Sequence, residues 1–147
     1  MARRISLVLI VAITMIAFFY TAQAQTGEKK WKKTVTLPNG DVILNMNGEW
    51  DLYVSHLRPG SYTAIEGGIT KIKQTGSSFV GISMNALAAF RKGSELIKGE
   101  LDKSGFTQLQ IVSGIAGNSD AKGQISEDGN QVIIDDGERF RLTLTRK

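Results

Sequence analysis

One histidine, no cysteine and fourteen carboxylates are this chain's stock of side chains for acid–base, nucleophilic or metal chemistry. His56 is the only imidazole, and with no thiol beside it a structural zinc site of the Cys/His kind cannot be assembled. A Ser-His-Asp mechanism would have to join His56 to a distant serine, and no serine stands in a Gly-x-Ser-x-Gly elbow. Neither a His-Glu-x-x-His helix nor a phosphate-cradling glycine loop occurs. Asn118-Ser119-Asp120-Ala121-Lys122-Gly123 opens like a calcium loop, but Lys122 stands where an oxygen ligand belongs and Gly129 occupies the twelfth position in place of Glu. Glu127-Asp128 and Asp135-Asp136-Gly137-Glu138 lie at opposite ends of one short strand, so they do not converge and read as turn chemistry. The residues therefore predict a non-catalytic protein with no metal and no cofactor, and place His56 at a strand end on the surface.

What remains to do work is apolar surface, and strands must position it. In Gly48-Glu49-Trp50-Asp51-Leu52-Tyr53-Val54-Ser55, Trp50, Leu52 and Val54 share one side of an extended backbone, the period of a half-buried strand. Thr34–Leu37 and Val42–Leu44 flank a Pro38-Asn39-Gly40-Asp41 turn and predict a small hairpin that plugs or caps one end of the domain. From position 48 onward, about eight short strand-like runs alternate with Gly/Ser/Asn/Asp turns, including Arg58-Pro59-Gly60-Ser61. Ile69 and Ile72 have opposite parity, which leaves open a bulge or an outward-facing isoleucine. In Phe106–Val112 the alternation sets Thr107, Leu109 and Ile111 on one face and Gln108 and Gln110 on the other. Those glutamines face solvent over a filled core or line the lumen of a hollow one. Asn85–Phe90 has helical character, with alanine and leucine in sequence and no β-branched residue, yet is too short to stand alone. It is expected to lie as a lid over the open end. Successive hairpins give an all-β, eight-stranded antiparallel up-and-down barrel, whose closure removes exposed edges.

The first 24 residues read as a secretory signal peptide. Arg3 and Arg4 precede an apolar run from Ile5 to Tyr20, and Ala22-Gln23-Ala24 forms a small-x-small cleavage site. Sixteen apolar residues fall short of the roughly 20 a membrane-spanning helix needs. Cleavage after Ala24 predicts a periplasmic or extracellular protein, held by its core because it has no cysteine to bridge. The organisation follows as 1–24 signal peptide, 25–47 basic leader and short hairpin, and 48–147 barrel. The net charge of +4 drops to +2 once Arg3 and Arg4 leave, which gives no general argument for nucleic acid. Lys29, Lys30, Lys32 and Lys33 around Trp31 form a charged stretch expected to be a mobile tether, with an anionic membrane surface as its candidate partner.

Gly48-Glu49-Trp50 on the first main strand, eight antiparallel runs and Arg146 at the end of the last resemble the lipocalin and calycin pattern. The resemblance implies that Gly48 and Trp50 close one end of the barrel, with Arg146, or Arg141 as its rival, packed over the indole. The mature chain is shorter than most lipocalins, carries no cysteine for their disulfide, and shows no Thr-Asp-Tyr motif. The chain is also similar to short exported lipocalin-like proteins of Gram-negative bacteria. Two functions stay open. One is binding of a small apolar or amphiphilic ligand in a pocket lined by Leu52, Val54, Met84, Leu87, Phe90, Leu109 and Ile111. The other is a structural or interaction protein of the cell envelope in which the same residues simply fill the barrel.

Overall fold

A computed structural model describes residues 31–58 and 61–147, with side chains 57–63 left aside. The expected signal peptide, Lys29, Lys30 and the Pro59-Gly60 turn lie outside the described residues. Eleven strands and no helix make up the described chain: β1 (Thr34–Thr36), β2 (Val42–Leu44), β3 (Gly48–Arg58), β4 (Ser61–Thr75), β5 (Ser78–Ser83), β6 (Glu95–Asp102), β7 (Gly105–Ile111), β8 (Ser119–Asp120), β9 (Lys122–Ile125), β10 (Gln131–Asp135) and β11 (Phe140–Arg146). β1 and β2 form the small hairpin. The other nine form one antiparallel sheet in the order β8-β7-β6-β5-β4-β3-β11-β10-β9.

The two ends of that sheet are halves of one segment. Ser119 and Asp120 pair with β7, Ala121 donates its N–H to Leu109 O at 2.9 Å, and from Lys122 onward the chain pairs with β10 instead. This change of partner curls the sheet into a nearly closed barrel. It also adds the two-residue β8 in a Gly/Ser/Asn/Asp-rich stretch that the sequence reads as a connection, so nine strands stand where the sequence predicts about eight.

Alternation decides what faces inward. Val132 and Ile134 of β10, and Phe140, Leu142 and Leu144 of β11, are buried, while their neighbours Gln131, Arg141 and Thr145 are exposed. On β4, Thr70 and Ile72 point in and Ile69 is half-buried on the opposite face, which settles the parity conflict in favour of Ile72. β7 departs from simple alternation. The pairing shifts between Glu100 and Leu101, leaving Thr107 as an extra residue in β7. Thr107 is consequently exposed, and Phe106, not Thr107, joins the side carrying Leu109 and Ile111. Gln108 is exposed and Gln110 half-buried on the outer wall, where Gln110 donates to Asp120 Oδ1 at 2.8 Å.

The expected helical stretch is a correction too. Leu87 and Phe90 exchange backbone hydrogen bonds of 3.0 and 2.9 Å around Ala88 and Ala89. Ala88 has φ 50 and is the lone non-glycine with positive φ among the described residues, the pattern of a type II′ reversal. A four-residue reversal satisfies these backbone groups at once, where one helical turn would leave most of its terminal groups unpaired. Trp31 is the last correction: expected in a mobile tether, it is 5% exposed and belongs to the core with Ile43, Leu44 and Met46. Burial of so large a ring outweighs the solvation of Lys32 and Lys33, which stay exposed anyway.

Candidate functional site

At the lower end of the barrel the chain builds a stopper. Gly48 has φ 126, a conformation that strains any side chain, and it lets β3 begin directly beneath the linker from β2. Register pairs Trp50 with Arg146, and the Arg146 guanidinium lies over the indole with Cζ 4.2 Å from its centroid. Trp50 is fully buried and donates its Nε1–H to Met46 O at 2.9 Å. Arg146 donates from Nη2 to Asn45 O at 2.6 Å and from Nη1 to Asn47 O at 3.3 Å, and burial lowers its pKa. Gln74 completes the joint by accepting from Met46 N at 2.6 Å and donating to Leu44 O at 3.2 Å. Arg141 lies elsewhere. It points outward and pairs with Asp135, Nη2 to Oδ2, at 2.7 Å.

Three described connections, 84–94, 112–118 and 136–139, meet at the upper mouth, and the residues 84–94 cross it. Phe90 is buried with its ring centroid 5.3 Å from that of Phe140, and His56 stands edge-on to Phe140 at 5.2 Å. His56, expected on the surface, is thus half-buried against an aromatic wall. Leu87 presses on β4 so closely that a Cβ at Gly68 would meet its Cδ2 at 2.6 Å. Met84 does not join them and remains exposed.

The crossing segment is tied down at both ends. Asn85 accepts from Ile69 N at 2.9 Å and donates to Gly67 O at 2.8 Å, so its side chain takes the place of a strand on the β4 edge. Ser113 donates to Ala89 O at 2.9 Å and binds the lid to the β7–β8 connection. Asp136 anchors the other side of the mouth. Its side chain is buried and accepts from the backbone N–H of Glu138, Arg139 and Phe140 and from the Ser119 hydroxyl. Burial by itself would raise this carboxyl, but those donors together hold it below the ordinary value. Arg139, paired with Asp136 at 3.6 Å, reaches on to Ala116 O.

Between stopper and lid, Leu52, Val54, Leu109 and Ile111 all face inward and are buried. A void wide enough for water would leave free area on these walls, and Val54, Ile111, Leu142 and Leu144 have none. Of the seven residues proposed as pocket lining, Leu52, Val54, Phe90, Leu109 and Ile111 are buried in one core, Leu87 is half-buried against it and Met84 is exposed. Thr70 is the one inward hydroxyl whose oxygen is buried without a partner among the described residues.

Two open grooves lie on the outer wall, near a seam where β7 and β9 run side by side. No backbone hydrogen bond joins Gly105–Gln108 to Lys122–Ile125. The Phe106 ring fills the gap, and only glycine fits opposite: a Cβ at Gly123 would come within 2.4 Å of Phe106 Cδ2. A groove of about 680 Å³ beside the seam is lined by Ala121, Lys122, Ile133, Asp135 and Arg141 among others. Another of about 710 Å³ crosses the outer faces of β5, β6 and β7. The described residues include no group of three or more His, Asp or Glu side chains placed to hold a metal.

Sequence reasoning missed Asn85, Ser113 and the Phe106–Gly123 contact. The Asp-Gly pattern at 136–137 signalled a turn but not the Ser119 hydroxyl that crosses to it. No family model, no curated protein and no solved structure matches this chain. The class defined by fold and site is thus that of a nearly closed antiparallel barrel, stoppered at one end and lidded at the other.

Proposed function

We propose that the chain is an exported, non-catalytic interaction module of the cell envelope, built on a lipocalin-like barrel whose interior is filled, and that its outer surface does the work. The observation carrying this reading is the absence of free area on Val54, Ile111, Leu142 and Leu144 between two covered ends. A ligand large enough to matter needs several hundred Å³ of concave space, and two grooves of that size lie outside. The lipocalin likeness rests on Gly48, Trp50 and Arg146, whose stacking agrees with the pattern but is too small a motif to carry an activity. Titration of the chain from Gln25 with fatty acids and fluorescent apolar probes tests the reading. No saturable binding to the folded protein is expected, and micromolar binding at one site per chain would overturn it.

One observation favours the other reading, a small amphiphilic ligand beneath the lid. Thr70 Oγ1 is buried without a partner among the described residues, and the polar end of a ligand would satisfy it. On that reading Leu87→Asp and Phe90→Asp weaken binding in protein that still folds. Unchanged affinity in both variants removes the lid from the site.

A further inference from the structure

Large apolar side chains that fail to find the core are few among the described residues, and their distribution is uneven. Among the described residues they are Val42, 50% exposed, Met84, 38%, and Ile115, 62%. Val42 sits alone on the small hairpin at the stoppered end. Met84 and Ile115 both belong to connections at the lidded mouth, and those two connections touch. Ser113 donates to Ala89 O, and Ile115 N and Ala116 N both bond back to the same Ser113 hydroxyl, at 3.3 and 3.0 Å. Ile115 is therefore held out on a short loop braced against the lid. The lid adds exposed Ala86 and Ala88 and, directly after Phe90, exposed Arg91 and Lys92.

We infer that this mouth is a surface for an anionic lipid bilayer, with Ile115 and Met84 entering the headgroup boundary and Arg91 and Lys92 meeting the lipid charge. The inference rests on the reading that the protein acts through its exterior, and it names the partner of that exterior. The charge supports the choice. The lid itself carries Arg91 and Lys92 and no acidic residue between Met84 and Ser94, and the Ile115 loop carries no charge at all. The exposed acidic residues on the neighbouring elements are Glu66 within β4, Glu95 at the start of β6 and Glu138 in the β10–β11 turn. Exposed apolar residues with adjacent basic ones are the composition of a membrane-contacting surface. A soluble protein partner has less need of a protruding, unpaired isoleucine ringed by small residues. The opposite end is poorer for the purpose: Trp31, its natural interfacial anchor, is locked in the core.

Binding of this kind is weak and reversible, so partition coefficients are the quantity to read. The chain from Gln25 contains every described strand and lacks the apolar residues 5–20, which would enter lipid by themselves. Its co-sedimentation with vesicles of phosphatidylglycerol and phosphatidylcholine is compared with that on pure phosphatidylcholine. Binding only to the anionic vesicles, falling as salt rises, is expected. Ile115→Asp and the double change Arg91→Glu with Lys92→Glu should each lower the partition coefficient by roughly 10-fold or more. Val42→Asp, at the far end, and Lys32→Glu with Lys33→Glu should leave it within about 2-fold on the same scale. All these positions are exposed, so circular dichroism should show an unchanged fold. Binding abolished by the lysine changes but not by the mouth changes would overturn the assignment while leaving an exterior function in place. Failure of the unaltered chain to bind anionic vesicles would overturn it outright. Occupancy of the barrel by an apolar probe would instead strike at the interaction reading.

Discussion

Between Trp50 and Arg146 the indole and the guanidinium face each other at 4.2 Å, with both guanidinium ends spent on backbone carbonyls. The indole is fully buried and the guanidinium half-buried, so their coupling should exceed that of an exposed pair. A double-mutant cycle with Trp50→Leu and Arg146→Met should return about 1–2 kcal/mol, read from urea unfolding. A coupling near zero would reduce Arg146 to a carbonyl cap. Asp136 carries a pH dependence of definite sign. Its folded pKa lies below the unfolded value, so the stability it supplies is fully present above about pH 4 and is lost as the pH falls through the lower folded value. Asp136→Asn should cost about 2–3 kcal/mol at neutral pH. The gap to the unaltered protein should narrow below pH 4, and a constant gap from pH 7 to pH 2 would contradict this account. Asp128, pulled down to about 2 by Ser126 and Asn130 at the other end of β10, shifts the same way and sharpens acid unfolding of both proteins alike. Ala88 offers the reverse kind of test. Its φ of 50 suits glycine, so Ala88→Gly should raise stability by about 0.5–1 kcal/mol despite the added chain entropy.

Elements were legible where one residue pattern decided them and illegible where a distant neighbour did. The Trp50-Leu52-Val54 alternation, the small hairpin and the Asp-Gly turns predicted strands that the fold contains, because period and turn chemistry are local properties. Asn85–Phe90 has helical composition, yet Asn85 is claimed by the β4 edge and Leu87 by Gly68, contacts 16 and more residues away. The Thr107 bulge and the split at Ala121 belong to the same group, since each follows from how β7 must meet β6 on one side and the closing segment on the other. At the seam the account predicts that Gly123→Ala drives the Phe106 ring outward and destabilises by roughly 1–3 kcal/mol. In a Phe106→Ala background the same change should cost much less, a shortfall visible in thermal unfolding. Equal costs in both backgrounds would mean that the ring does not fill the gap.

For the whole molecule, the sequence left two interiors open, hollow and filled, because inward residues read alike in both. Size decides between them only when all walls are present together; on the proposed reading Trp50 below, Phe90 and Phe140 above and the buried leucines between them consume the space. Trp31 shows the limit of local reading most clearly. Four lysines in its neighbourhood suggest a solvated leader, whereas the ring is held against Gly129 and Leu44 by a turn nearly a hundred residues onward. Of the residues grouped in sequence as pocket lining, Leu52, Val54, Phe90, Leu109 and Ile111 are buried together while Met84 is exposed, and the proposed reading takes them as filling. Native mass spectrometry of the chain from Gln25, isolated gently from the envelope it is expected to enter, tests that filled interior most directly. The account predicts the bare polypeptide mass and no adduct under conditions that preserve the fold. A small molecule of defined mass retained one to a chain would contradict it.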